Sequence, residues 1–449
     1  MSDASLLRAL QTHARDTVAY QALESGIRLW RGEVGTVSFC DAGGAWVACG
    51  GPLADDAQID GVARAFVAEA RRHGKRASFF ACDEVAFYGS FARLPIGLQP
   101  LWRTSEWPAT VRAHRRLREQ LRRARAKGVT VRVVPATELA PDCALRRDVD
   151  ALAARWLASR PMEPMRFLVT LDLFVHPELH RYYVAERAGA VVAFLSIIPA
   201  GGESRALVED LVRDRLAPNG TTELLFDRAA RDAATEGIVT LTWGLAPLAG
   251  DVPLSMRLLG SLGRGLYDFR GLKAFKARLH PTEWQRVWLV HPRGGSPALY
   301  VLDALRAFAG GSVLAFGART FVRHPLVLAW ALTLGLVPWT LSLALLLTFH
   351  AAAPLFGFPR EKLFAWVVFD AAFIAVLVRA FWRPRAGRFA VLAFAAAADA
   401  LWSTLHLTHA GLGASPAAAA IRLASAIAPA LAAVGLLRCA WYTRPPATG

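Results

Sequence analysis

The apolar positions of this chain change period along its length. From Leu326 to Phe349, Leu363 to Trp382, Phe389 to His409 and Ala417 to Tyr442 they run almost unbroken. Each stretch is close to the roughly 20 residues a helix needs to cross a bilayer, so residues 320–449 read as a four-helix transmembrane bundle. Upstream, short alternating runs replace the long ones. Thr36 to Cys40 and Ala45 to Cys49 read as strands around the turn DAGG, followed by a helix from Ala57 to His73 and a strand from Ala77 to Cys82. A helix near Val85 to Arg93 and a strand near Gly97 to Trp102 complete a first set. A similar order then returns: a helix around Asp148 to Ala158, strands at Arg181 to Arg187, Val191 to Pro199 and Arg205 to Val212, a helix from Thr221 to Glu236 and a strand from Val239 to Trp243. The pattern predicts an α/β class with two domains of related design, residues 1–108 and 133–295, rather than one large sheet. A basic helix at residues 109–132 joins them.

Charge sets the expected orientation. Arg319 and Arg323 precede the first span, Arg383, Arg385 and Arg388 join the second to the third, and Arg438 and Arg444 close the last. The other two connections carry Arg360, Glu361 and Lys362 or no charge at all, so the positive-inside bias places both termini and the N-terminal part in the cytoplasm. The opening residues MSDASLLRALQTHARD hold no apolar signal segment, which leaves the first span as the expected insertion signal. Of the formal charge of +16, residues 1–319 hold 42 Lys and Arg against 33 Asp and Glu. That surplus favours anionic lipid, nucleic acid or phosphorylated substrates without choosing among them. Cys40, Cys49, Cys82, Cys143 and Cys439 form no C-x-x-C pair, which points to a reducing compartment and no zinc site.

Three segments carry candidate chemistry. In VRAHRRLREQLRRARAKGVTVRV nine Lys and Arg from Arg112 to Arg132 face the single acid Glu119. Helical spacing groups Arg112, Arg115, Arg116, Arg122 and Arg123 on one side and Leu117, Leu121 and Ala124 on another, a docked apolar stripe with a basic face able to bind phosphates of RNA or lipid. In EDLVRDRLAPNGTTE a strand with ionisable Glu209, Asp210 and Arg213 gives way to a Pro218-Asn219-Gly220 turn and a helix start. Asn219 can cap there, Gly220 can take a positive φ, and the free amides can receive an anion. In LYDFRGLKAFKARLHP the cations Arg270, Lys273 and Lys276 fall within two turns, with Lys273 and Lys276 on one face if the segment is helical. Each admits a plain alternative: a solvated basic helix, an edge strand, and surface solubility. G-x-S-x-G, H-E-x-x-H and Walker sequences are absent, which argues against serine hydrolases, zincins and P-loop enzymes.

Taken in order and spacing, HRRLREQLRRARAKGVTVRV, APNGTTELLFDRA, LTWGLAPLAGD and LYDFRGLKAFKARLHPTEWQRVWLVHP resemble the C-terminal catalytic domain of bacterial phosphatidylglycerol lysyltransferases, the multiple peptide resistance factor group, over roughly residues 30–292. The resemblance implies a tandem GNAT-like fold that moves an aminoacyl group from charged tRNA to a membrane lipid, usually phosphatidylglycerol, in the bacterial cytoplasmic membrane. It implies catalytic roles for Asp210, Arg213, Lys273 and Lys276, with Glu209, Asn219, Gly220, Arg270, Arg115, Arg116, Arg122 and Arg123 binding substrate. Two features differ. The family's larger membrane part usually precedes the catalytic domain, so no lipid-flipping activity is carried over, and PMRFLVTLDLF stands where lysyl-transferring members have a glycine-containing segment.

The expected protein is thus a membrane transferase with no cofactor or metal, using aminoacyl-tRNA as co-substrate and a lipid acceptor. A GNAT acyltransferase that draws on an acyl-CoA thioester, its pyrophosphate in the Asn219-Gly220 turn, is the rival enzyme. An inactive GNAT-like membrane scaffold is the non-enzymatic one. Within the spans, Asp370, Asp399, His406 and Arg422 are ionisable at bilayer depth, and Asp399 is expected to pair with Arg422.

Overall fold

The structure is a computed structural model that describes residues 3–83, 88–160, 162–202, 204–253, 256, 269–323, 325–348, 360–382, 385–410 and 416–443. It divides into residues 1–317 and 318–449. The first unit opens with α1 (Asp3–His13), β1 (Arg28–Arg31), β2 (Thr36–Asp41), β3 (Ala45–Cys49), α2 (Ile59–Arg72), β4 (Arg76–Cys82) and β5 (Phe91–Arg103). There follow α3 (Trp107–Ala113), α4 (Arg115–Ala126), β6 (Val129–Val134), α5 (Ala144–Ala158), β7 (Arg181–Arg187), β8 (Ala190–Pro199), β9 (Arg205–Arg213), α6 (Thr221–Thr235) and β10 (Thr240–Thr242). β11 (Ala246–Pro247), α7 (Phe269–Ala277), β12 (Glu283–Pro292) and α8 (Pro297–Phe308) complete it, and α9 (Val313–Arg323) crosses the boundary.

Each half repeats one design, an antiparallel run whose last strand reaches a parallel neighbour through a single helix. β3 passes through α2 to β4, and β9 through α6 to β10. This is the repeated α/β arrangement that the sequence pattern predicts. The expectation of two separate sheets is corrected: the strands run in one sheet, ordered β1-β2-β3-β4-β12-β5-β10-β9-β8-β7-β6. The join is β5. One of its edges pairs with β12 from Leu101 opposite Glu283 to Phe91 opposite Pro292, and the other takes β10, Leu241 opposite Trp102. β12 also pairs with β4, so the last strand of the second half completes the sheet of the first.

The strand expected at Gly97 to Trp102 is therefore longer, because Pro95 sits where the ladder shifts register and does not end the strand. Of the helix expected near Val85 to Arg93, residues 85–87 lie outside the described residues and Phe91 to Arg93 belong to β5. At Gly97 a side chain is excluded, since a Cβ would lie 2.4 Å from the Ala246 carbonyl of the crossing β11.

Helix α8 packs on the first half. Tyr300, Ala304 and Ala307 join a core with Val47, Cys49, Phe80 and Leu289. Beside them the fully buried Asp303 accepts a two-pronged hydrogen bond from Arg76 of β4, Nε to Oδ2 at 2.7 Å and the second prong at 2.6 Å, and a further one from Arg306.

In the second unit α10 (Pro325–Thr348), α11 (Arg360–Trp382), α12 (Ala386–Ala410) and α13 (Pro416–Tyr442) occupy the four apolar stretches. Among the described residues three of these helices, α11, α12 and α13, are long and apolar enough to cross a membrane. Alanine lets α12 and α13 approach closely: Ala393 and Ala396 pack with Ala432, Ala433 and Leu436, while Phe394 on the outer face is 78% exposed. Asp370 is buried and accepts from Thr340 Oγ1 at 3.3 Å. The side chain of Arg422, the expected partner of Asp399, lies outside the described residues.

One substitution pair tests the α8 anchor. Arg76→Met leaves the Asp303 carboxylate in the core with only part of its compensation, and costs about 3 kcal/mol of stability. Adding Asp303→Leu removes the stranded charge and recovers most of that loss. Urea unfolding followed by tryptophan fluorescence reads both, and equal losses in the single and double variants contradict the anchor.

Candidate functional site

The segment Leu207-Val208-Glu209-Asp210-Leu211-Val212 breaks period two, and the structure shows why. In the β8–β9 ladder Leu195 faces Leu211 and Ile197 faces Val208, so Glu209 and Asp210 together oppose the single residue Ser196. This bulge delivers both acids to one face of the sheet, the face that carries Val212 and Ile198, while Val208 and Leu211 pack on the other. Ser196 is fully buried and fixes the bulge, its Oγ donating to Asp210 Oδ2 at 3.0 Å and accepting from the Asp210 backbone N–H at 3.2 Å.

The acids line a pocket of about 320 Å³, counting space open to solvent. Glu24, Asp172, His176 and His180 face it with them, and Tyr20, Leu23 and Ile198 supply apolar wall. His180 Nε2 lies 2.6 Å from Glu209 Oε2 and Nδ1 lies 3.0 Å from the His176 carbonyl. Acceptors at both nitrogens call for the doubly protonated ring. Burial opposes that charge, but Glu209 outweighs it and the His180 pKa is raised. Burial, then repulsion from Glu209, pushes Asp210 up to about 7. Burial, then repulsion from Glu209 and Asp210, pushes Glu24 up to about 9. An acidic pocket with too little cation of its own is shaped to accept one.

Glu24 arrives on an N-terminal segment tied to both halves. Asp16 accepts from the backbone N–H of Gly51 at 2.5 Å and of Asp83 at 2.6 Å, and its carbonyl accepts from Gly201. Buried Asp83 in turn accepts from the Thr17 backbone and hydroxyl at 2.8 and 2.7 Å and from Arg205 at 3.0 Å. Four distant stretches of chain therefore meet at one pair of carboxylates.

The other expected site residues are dispersed. Arg213 lies on the Leu211 side of the strand, opposite Asp210, and its guanidinium donates to the carbonyls of Ala217 at 2.6 Å and Pro218 at 3.4 Å. It holds the turn and does not line the pocket. Gly220 takes φ +94°, and a Cβ there would lie 2.1 Å from the Gln120 carbonyl of α4. The glycine serves that close approach; Asn219 is exposed, and the helix start has no side-chain cap. Lys276 is buried and donates to the carbonyls of Trp243, Gly244 and Leu245 at 2.6, 3.0 and 3.0 Å, with burial lowering its pKa to about 7. Lys273 points outward, 6.0 Å from the Trp284 ring, so the two lysines do not converge. Arg270 is in the first turn of α7 and its side chain lies outside the described residues.

The single basic helix expected at residues 109–132 is broken at His114, where ψ is 101°, so Arg112 lies on α3 and Val129 to Arg132 on β6. On α4 the stripe Leu117, Leu121 and Ala124 is buried as expected and the arginines face out. Arg122 and Arg123 grip Glu119, whose pKa they lower to about 2. Arg115 and Arg116 have no ionic partner among the described residues. No sequence pattern marks Glu24, Asp172, His176 or His180. The doubled Glu209-Asp210 between two apolar pairs was the one available signal for the bulge that gathers them.

A family model for phosphatidylglycerol lysyltransferase C-terminal domains matches residues 7–291. A phosphatidylglycerol lysyltransferase of Bacillus subtilis is 34% identical over 123 residues, 25% of this chain, and the match spans 14% of that longer protein. The C-terminal domain of a lysylphosphatidylglycerol synthetase, described as putative, from Agrobacterium fabrum superposes with a TM-score of 0.58 at 23% identity, covering 70% of this chain and 99% of that one. L-PGS from Bacillus licheniformis superposes with a TM-score of 0.58 at 19% identity, covering 71% and 98%. At those identities the two structures establish a shared fold.

The raised carboxyls make stability depend on pH. Folded, Asp210 and Glu24 keep protons that the unfolded chain, with ordinary values near 4, has already lost. The folded state binds more protons, so this contribution is fully present below about pH 4 and is lost as pH rises through about 7 and then about 9. Glu24→Gln should raise the urea midpoint over the parent in alkaline buffer, and the difference should vanish in acid. A constant difference across pH contradicts the assignment.

Proposed function

The chain belongs to the phosphatidylglycerol lysyltransferase C-terminal family, and on that premise we propose that it is a membrane-bound aminoacyltransferase, moving an aminoacyl group from aminoacyl-tRNA to a membrane lipid such as phosphatidylglycerol. The observation that carries this reading is the pocket where Glu24, Asp172, Glu209 and Asp210 meet. An aminoacyl ester brings a cationic ammonium, and a cationic side chain would bring a second; Glu24 and Asp172 receive that charge. Asp210, near 7, is matched to general-base work at neutral pH. It takes the proton of a lipid hydroxyl as that oxygen attacks the ester carbonyl. The bond to the tRNA ribose oxygen then breaks, and the departing oxygen takes that proton from Asp210. His180, held by Glu209, offsets part of the repulsion on Asp210.

The donor's phosphates fall to the outward face of α4, where Arg115 and Arg116 are exposed and Arg122 and Arg123 add to the field. Lys276 stabilises the loop that follows β10 and acts on the reaction through that loop. The apolar helices of the second unit hold the enzyme in the membrane, with both termini cytoplasmic by the positive-inside bias.

Expression in a heterologous host, with lipid extracts compared against an empty host, tests the reading: a new ninhydrin-positive lipid is expected, and a new fatty-acid amide or ester instead contradicts it. Asp210→Asn should lower turnover at least about tenfold, ~1.4 kcal/mol of barrier, with the fold retained. Replacing Arg115, Arg116, Arg122 and Arg123 by Glu should weaken donor binding and flatten its salt dependence, because fewer counterions are released. An unchanged salt slope removes RNA as the donor.

A further inference from the structure

Helix α8 lies beyond the residues matched by the family model and has two apolar faces. Its inner face is committed: Tyr300, Ala304 and Ala307 are in the core, and Asp303 is buried against Arg76. Its outer face repeats leucine every third residue, at Leu299, Leu302 and Leu305, with Leu299 44% and Leu305 49% exposed. In α9, which follows at once, Leu314 is 87% exposed. By length and composition α8 and the start of α9 together could pass for a bent span, 53° at the break. The buried Arg76–Asp303 fork excludes that, because a helix held in the protein core by an ion pair cannot also be surrounded by lipid. The exposed leucines still need a partner.

Three arginines lie near α8, two of them, Arg76 and Arg306, bonded to Asp303. Arg306 is on the same helix, and Arg71 and Arg76 lie near enough to Tyr300 for their charges to act on it. The chain then runs through α9 directly into the apolar helices. We propose that the Leu299-Leu302-Leu305 stripe of α8, extended by Leu314, is a docking surface for an anionic lipid bilayer, seated at headgroup depth with Arg306 beside it on the same helix. The same helix reaches the pocket. The Arg166 N–H donates to the Phe308 carbonyl at 2.9 Å, Phe167 packs on Phe308, and the segment they begin continues to Thr170, Asp172 and His176 of the pocket wall. Seating α8 on the membrane therefore links the bilayer surface to that wall through residues 166–172.

The test uses the full chain in nanodiscs with a photoreactive benzoylphenylalanine in place of Leu299, of Leu305, or of Val133, a comparably exposed residue on the edge strand β6. After irradiation, lipid adducts at Leu299 and Leu305 are expected to exceed those at Val133 several-fold. Equal yields at the three positions overturn the docking surface. Exchange of phosphatidylglycerol for phosphatidylcholine should reduce the adducts at both leucine positions, and undiminished adducts overturn the anionic assignment. The readout is independent of transfer activity: adducts without transfer leave the docking surface standing and count against the proposed function, and transfer without adducts does the reverse.

Discussion

The whole first unit depends on β5 being hydrogen-bonded along both edges. A strand paired on one side to β12 and on the other to β10 cannot belong to one half alone, so the two related halves share a single ladder. The N-terminal segment then lies across the join, where Asp16 and Asp83 collect donors from Gly51, Thr17 and Arg205. Because that segment also carries Tyr20 and Glu24, the network that closes the fold sets one side of the acidic pocket. The bulge in β9 sets the other. Neither half alone could assemble the site.

What the sequence reveals depends on how local the governing physics is. Lipid demands long unbroken apolar runs, so the four helices of the second unit stand where the pattern puts them. A strand buried on both faces shows a short unbroken apolar run, and β7, with Tyr182 to Ala185 all buried, has the bounds the pattern assigns, Arg181–Arg187. The continuity of the sheet could not be read, because the partners in β5 and β12 are far apart in sequence and no local signal marks them. The pocket was half legible. Glu209 and Asp210 stood out as charges in an apolar strand, but Glu24, Asp172 and His176 come from irregular segments that only tertiary structure brings together.

The motif residues teach a related point. Lys276 and Gly220 stand in segments with a strong family likeness, and that likeness implies chemical roles for them. In the structure Lys276 satisfies three backbone carbonyls, and Gly220 allows α4 to approach α6. Both sit where substitution disturbs the frame around the site. A buried lysine without these three acceptors would be costly, which is reason enough for the residue type. The acids of the pocket show the opposite economy: they are held together against their own repulsion, and a protein selected only for stability would not gather them.

The central claim is that this pocket is a receptor for a cationic aminoacyl group. Calorimetric titration of the full chain with lysinamide, repeated near neutral pH in two buffers of different ionisation heat, tests it most directly. A cation entering beside Glu24 and Asp210 lowers their raised pKa values, so the account predicts that binding releases protons. Heats identical in the two buffers, or proton uptake, would contradict it.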